Sequence, residues 1–150
     1  MKLSTRSRYG TRLMLDMAEN YQGGPIQLGV IARRQGIPVK YLEQIIIPLK
    51  KAGYVSSVRG YKGGYMLVKP PEEVTIGEIV VLLERGLELT ACADFPEHCE
   101  RADTCVMRLL WQQAAEAMYL KLNEFTLADL IKMTQSNGKN RSRDRIREKE

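Results

Sequence analysis

Apolar positions recur with a helical period over residues 6–21, where Tyr9, Leu13 and Met17 stand four apart and Met14, Ala18 and Tyr21 widen the stripe. Gly23-Gly24-Pro25 closes that helix, because glycine accepts a left-handed cap and proline cannot continue the ladder. A second, short helix is expected over residues 28–35 with Leu28, Ile31 and Ala32 apolar, ended by Gly36. A third begins with Pro38 in its first turn, where the missing N–H costs nothing, and carries Leu42, Ile45, Ile46 and Leu49 inward. Pro48 should loosen its last turn, and Gly53 ends it. Two short helices around a glycine-containing turn form a helix-turn-helix. Two β-prone runs follow at once, Tyr54–Val58 and Tyr65–Val68, around the basic, glycine-rich tip Arg59-Gly60-Tyr61-Lys62-Gly63-Gly64. That pattern predicts a hairpin, and a helix-turn-helix followed by a basic hairpin is a winged helix.

After the stiff hinge Lys69-Pro70-Pro71 the pattern changes. Thr75-Ile76-Gly77-Glu78 is a capping box that opens a helix to about Glu84, with Ile76, Ile79, Val80 and Leu83 on one face. Residues 86–103 show little periodicity. A long helix is expected from Thr104 to about Asn123, bearing Val106, Leu109, Leu110, Ala114, Ala117, Met118 and Leu122. Thr126-Leu127-Ala128-Asp129 caps a last short helix to about Met133. Residues 136–150 contain one apolar residue, Ile146, and are expected to form a disordered charged tail. The fold class is therefore mainly α with a small β-hairpin, in three regions: a winged-helix region over 1–71, a second region over 72–135 and the tail over 136–150.

Charge sharpens this division. The chain carries a net +5, but residues 1–69 hold 12 Lys and Arg against 3 Asp and Glu, whereas residues 70–135 hold 5 against 12. A front half with so large a cationic excess suits a polyanion better than a merely solvated face does, and nucleic acid is the natural partner. No stretch approaches eighteen apolar residues, so no membrane span is expected, and the polar start Met1-Lys2-Leu3-Ser4-Thr5-Arg6 lacks the apolar run of a secretory signal. A cytoplasmic protein is the expectation. One histidine, no Ser/His/Asp set and no phosphate-binding loop argue against an enzyme.

Candidate DNA contacts gather where a recognition helix and a wing would present them. Lys40, Tyr41, Glu43 and Gln44 lie near the start of the third helix, the end that points into a major groove. Glutamine can pair with adenine through two hydrogen bonds and glutamate can accept from the cytosine amino group, whereas Lys40 and Tyr41 suit phosphates. Arg59 and Lys62 mark the wing, where an arginine can enter a narrow minor groove. The other candidate chemistry is Cys92-x6-Cys99-x5-Cys105. Three thiols inside fourteen residues do not resemble a secreted disulfide framework, and thiolates suit zinc, copper(I) or iron–sulfur clusters. The spacing is also compatible with three plain free thiols. Cys105 opens a helix, whose N-terminus favours thiolate.

The segments Tyr41-Leu42-Glu43-Gln44, Ser57-Val58-Arg59-Gly60 and Gly63-Gly64-Tyr65 resemble the signature of the IscR/NsrR/CymR-type winged-helix regulators, as do Leu3-Ser4-Thr5, Arg8-Tyr9 and Leu15-Asp16-Met17-Ala18. The resemblance covers about residues 1–135. It implies a homodimeric transcription regulator on a near-palindromic operator in double-stranded DNA, usually a repressor, with the helix from Thr104 as the dimerisation helix. It further implies that Glu43, Gln44 and Arg59 read bases or the minor groove. It makes Cys92, Cys99 and Cys105 ligands of an iron–sulfur cluster, 2Fe-2S or 4Fe-4S, in a regulator of iron–sulfur assembly, iron or redox-stress genes. Relatives complete the site with a histidine three residues after the third cysteine or an acidic residue near position 8, but this chain has Arg108 and Arg8 there. His98 is the candidate fourth ligand, with Asp94, Glu97, Asp103, a small thiol or water as alternatives. Two further readings stay open: a thiol- or zinc-switched regulator of the same fold, and a module that binds a metabolic enzyme as its partner.

Overall fold

The computed structural model describes residues 3–86 and 89–147. Helix α1 spans Thr5–Glu19 and is capped by Ser4, whose hydroxyl accepts from the Ser7 N–H at 3.1 Å. Helix α2 spans Leu28–Gln35 and ends at Gly36, whose φ of 63° is the left-handed cap that glycine takes without strain. Ile37, buried in the turn, returns its N–H to the Ala32 carbonyl at 3.1 Å, and α3 then runs from Val39 through Pro48 to Lys51. Strands β1 (Val55–Val58) and β2 (Gly64–Leu67) pair antiparallel, Val55 opposite Leu67 and Val58 opposite Gly64. The winged helix read from the pattern is thus the fold observed.

One pairing had no signature in the pattern. Ile26, just ahead of α2, exchanges two backbone hydrogen bonds of 2.8 Å with Tyr65 and so lies along β2 as a third extended segment. Gly64 makes this approach possible, since a Cβ there would stand 2.5 Å from the Ile26 backbone.

Helix α4 (Ile76–Glu84) carries the expected capping box, in which the Thr75 hydroxyl accepts from the Glu78 N–H and the Glu78 carboxylate accepts from the Thr75 N–H. Ile79, Val80 and Leu83 join Leu13, Met14, Met17, Leu42, Ile45 and Leu49 in one core. The contact of α4 with α1 is close because Gly10 has no side chain: a Cβ there would meet Leu83 Cδ1 at 2.1 Å and Ile45 Cγ2 at 3.3 Å. A single-turn helix α5 (Ala91–Asp94) and a turn of 3-10 helix at Pro96–His98 lead to the long helix α6 (Val106–Asn123). The start of the last helix, α7, is stitched back to α4, with Leu127 N–H donating to the Val74 carbonyl and Ile76 N–H to that of Phe125.

One feature departs from expectation, and another stands out. Helix α7 does not stop near Met133 but spans Leu127–Arg147, so most of the stretch expected to be disordered, 136–150, is helical; residues 148–150 lie outside the described residues. Low hydrophobicity measures what a segment can bury, and an arginine-rich run without proline can still take helical geometry. The other is α6, whose only buried residue is Ala115. Its apolar side chains, Val106, Met107, Leu109, Leu110, Trp111 and Leu120 among them, stand exposed on the single chain.

Candidate nucleic-acid interface and cysteine segment

The residues of α3 divide cleanly. Leu42, Ile45, Ile46 and Leu49 are buried, while Lys40, Glu43, Gln44 and Ile47 are exposed at helical spacing and form one outward face. Tyr41 is different from its neighbours: it is half-buried and meets Tyr9 of α1 edge-on, ring centroids 5.6 Å apart. Its ring fixes α3 against α1, so any contact it makes outside the chain falls to its hydroxyl.

The pose of the helix-turn-helix on α1 depends on a buried carboxylate that sequence reasoning passed over. Asp16 is 2 % exposed. It accepts from both Arg34 Nη2 and Nε, the latter at 3.1 Å, and from the Gln35 amide at 2.9 Å. Arg12, one turn earlier on α1, donates to the side chain and the carbonyl of the same Gln35. A carboxylate this deep is tolerable only with such partners, and the bidentate arginine fixes an angle as well as a distance. The one signal available beforehand was an aspartate inside the apolar stripe Leu13-Met14-Leu15-Asp16-Met17-Ala18.

At the wing, Arg59, Tyr61 and Lys62 are all exposed. The tip turns on Gly60, with φ of 111°, and closes with a 2.9 Å hydrogen bond from Gly63 N–H to the Gly60 carbonyl. From residue 44 to residue 71 the chain holds Lys50, Lys51, Arg59, Lys62 and Lys69 and no acidic residue at all. The end of α3 and the wing therefore offer an unneutralised cationic surface to a polyanion, while the outward face of α3 carries the acidic Glu43 as well as Lys40.

The cysteine segment is built differently. Cys92 sits in α5 with its sulfur 3.2 Å from the Thr90 hydroxyl, Cys99 follows the 3-10 turn, and Cys105 occupies the N-cap of α6. All three are free and half-buried. His98 is exposed and stacks on Phe95 at 5.6 Å; Glu97 and Asp103 are exposed too, while the side chain of Asp94 lies outside the described residues. Among the described residues of one protomer, no three His, Cys, Asp or Glu side chains come together to hold a metal. The donor chemistry nevertheless fits a thiolate-bound iron–sulfur group. Arg108, one turn into α6, donates from Nη1 to the Ala102 carbonyl at 3.0 Å, while its buried Nε has no acceptor among the described residues. Such a donor suits a sulfur or other anionic acceptor. Arg8 lies away from this segment in hydrogen-bonding terms, donating to Thr5 and covering the Tyr9 ring at 5.9 Å.

The two ends of the molecule meet at Glu84, the last residue of α4. Its carboxylate accepts the Ser4 N–H at 2.8 Å, which ties the start of α1 to the point where the cysteine segment begins. Burial would raise its pKa, but hydrogen bonds from Ser7 and Ser4 and the nearby Arg6 charge outweigh that and hold it below the ordinary range.

A winged helix with a polar recognition face and a cationic wing defines a DNA-binding transcription regulator, not an enzyme. Comparison with known proteins places it more closely. The family model of Rrf2, described as an iron-dependent transcriptional regulator, matches residues 3–133. The chain is 48% identical over 132 residues to the protein Rrf2 of Nitratidesulfovibrio vulgaris, covering 88% of each. Among solved structures it is similar to T. potens IscR, at 36% identity and a TM-score of 0.73 over 89% of this chain and 88% of that one. It is similar as well to CymR, the global cysteine regulator of B. subtilis, at 36% identity and a TM-score of 0.70 over 87% of this chain and 95% of that one. The chain belongs to the Rrf2 family of transcription regulators. Among the described residues no helix is long and apolar enough to cross a membrane.

Proposed function

We propose that the protein is a cytoplasmic, homodimeric repressor whose operator binding responds to an iron–sulfur cluster, 2Fe-2S or 4Fe-4S, on Cys92, Cys99 and Cys105. The observation that carries this reading is three free, half-buried thiols in one short segment, the last at the N-cap of α6 and one turn before a buried arginine donor that has no acceptor among the described residues. His98 is the candidate fourth ligand, which it can become by leaving its stack on Phe95. Bound there, such a cluster supplies a redox-active, oxygen-labile centre. In this reading residues 1–71 carry the DNA-reading head and residues 72–135 the sensing segment and the dimer contact. Lys40, Tyr41 and Lys62 meet phosphates, Glu43 and Gln44 read base edges, and Arg59 enters the minor groove. The homodimer draws support from α6: its outward apolar side chains, Val106 at 75 % exposure and Leu109 at 57 %, become a core only against a second copy. A cluster gathering the three cysteines would pull on the segment that follows α4, and the Glu84–Ser4 bond carries that change to α1 and so to the helices packed on it. Targets concerned with iron–sulfur assembly, iron or redox stress follow from this chemistry.

The test is anaerobic reconstitution with iron and sulfide. A visible chromophore is expected, absent when all three cysteines are changed to alanine, together with a shift in DNA affinity between loaded and metal-free protein. A colourless wild-type protein would sink the cluster reading. A thiol or zinc switch is the second reading, favoured by the separation of the three thiols in one protomer. Zinc, or no metal, in protein isolated without oxygen would favour it, provided that oxidation or zinc removal changes DNA affinity.

A further inference from the structure

The apex of the wing carries a side chain that the fold does not use, although the carbonyl of the same residue, Tyr61, accepts from the Gln27 amide at 3.5 Å. Tyr61 is 95 % exposed, the most exposed of the large apolar and aromatic side chains described. It stands between Arg59 and Lys62, on a turn set by Gly60 at φ 111° and by the 2.9 Å bond from Gly63 to Gly60. Gly63 cannot be replaced without moving this turn, since a Cβ would lie 2.2 Å from the Val58 carbonyl oxygen. The returning strand is held in turn, one residue past its first cross-strand pair, by the Ile26–Tyr65 pairing. An aromatic ring is thus presented to solvent on a backbone that is already fixed, in the middle of a stretch of chain without a single carboxylate.

Such a ring is well prepared for binding. Tyrosine has two side-chain torsions to freeze, so its ordering cost on contact is small, and the fixed turn adds little more. The wing faces a polyanion, and a phenol donates well to a charged phosphate oxygen. We propose that Tyr61 is a third DNA contact of the wing, its hydroxyl donating to a backbone phosphate and its ring lying on the adjacent sugar. The inference rests on the reading that the wing meets DNA. A phosphate contact positions the protein and adds affinity without selecting a sequence. Being uncharged, Tyr61 releases no counterion, so its share of affinity is independent of salt, unlike that of Lys62.

The full-length protein and a duplex of about 30 base pairs, long enough for two half-sites, provide the test. The duplex is enriched by the wild-type protein from a random pool, and affinity is read by fluorescence anisotropy over a salt series. Tyr61→Ala should weaken binding by about tenfold with the melting temperature and salt slope unchanged, a loss that one charge-assisted hydrogen bond can account for. Tyr61→Phe should lose most of the same affinity, which assigns it to the hydroxyl. Lys62→Ala should weaken binding and also lower the salt slope by about one. Tyr61→Ala or Tyr61→Phe binding within about twofold of wild type, while Lys62→Ala binds weakly, would overturn the proposal and leave the wing on DNA. If the wild-type protein enriches no duplex, DNA binding itself fails and Tyr61 falls with it.

Discussion

In the helix-turn-helix and its hairpin each turn leads into an element with a buried anchor: Ile31 in α2, Leu42 and Leu49 in α3, Val55 in β1, Leu67 in β2. Among the described residues between 89 and 105 the longest element is the four-residue α5, and the buried side chains described there are Ala93 and Ala102. The first region spends apolar area on holding one geometry, and alanine is the smallest side chain that can do so. The second makes its turns from local backbone bonds, such as Cys99 N–H to the Pro96 carbonyl at 3.1 Å and Ala102 N–H to that of Cys99 at 3.0 Å. A region of the first kind has a shape before its ligand arrives. A region of the second kind can take the shape that a ligand or a partner imposes, at small cost to the rest. A regulator needs both, joined at a point where the pliant part can move the rigid one.

The contrast can be broken or sharpened by substitution. Leu42→Ala empties a fully buried site in α3 and should cost about 3 kcal/mol of unfolding free energy in urea titration. A loss near zero would mean that the reading head is not a packed unit. Arg34→Ala leaves Asp16 buried with the Gln35 amide as its remaining side-chain donor, and should cost about 2 kcal/mol, since Arg34 is itself partly exposed. A double change with Asp16→Asn should recover part of the loss, which separates the stranded charge from simple truncation.

At the joint between the regions the effect is smaller and depends on pH. The Glu84 pKa is lower in the folded chain than in the unfolded one, so its contribution is fully present above the ordinary glutamate range and is lost as pH falls through the folded value. Glu84→Gln should flatten that acid limb in pH-dependent urea melts and leave the neutral-pH fold intact by circular dichroism. An unchanged limb would mean that Glu84 does not couple α4 to α1. The smallest effect belongs to the pliant region. Changing Cys92, Cys99 or Cys105 singly to alanine in metal-free protein should alter stability by less than about 0.5 kcal/mol. A loss of several kcal/mol would show that the segment is a packed part of the fold after all.

The rigid half was readable because its determinants are local. Gly36 and Gly53 mark helix ends, Thr75 with Glu78 marks a start, and the stripe Leu42, Ile45, Ile46, Leu49 faces the core as its period requires. What escaped was long-range or polar. Asp16 and Arg34 stand eighteen residues apart, so the place of Asp16 in an apolar stripe hints at burial but does not name its partner. Ile26 pairs across to Tyr65 without any alternation of its own, and Glu84 reaches Ser4 across eighty residues. On α6 the apolar period was plain, but a period tells which side is apolar and not whether the same chain covers it. For the cysteines, spacing located the thiols, while their convergence depends on a segment whose own packing is slight.

The seam between Ile26 and Tyr65 bears on how the protein can measure DNA. Ile26 leads directly into α2, and Tyr65 into the returning strand of the wing, so these two bonds lock the hairpin to the entrance of the helix-turn-helix. The two bonds restrain the distance from the outward face of α3 to the wing tip. Major-groove and wing contacts can be satisfied together only where groove width and helical phase match that length. On the proposed function, the protein thereby carries a ruler for the shape of the DNA it binds, alongside any base reading by Glu43 and Gln44.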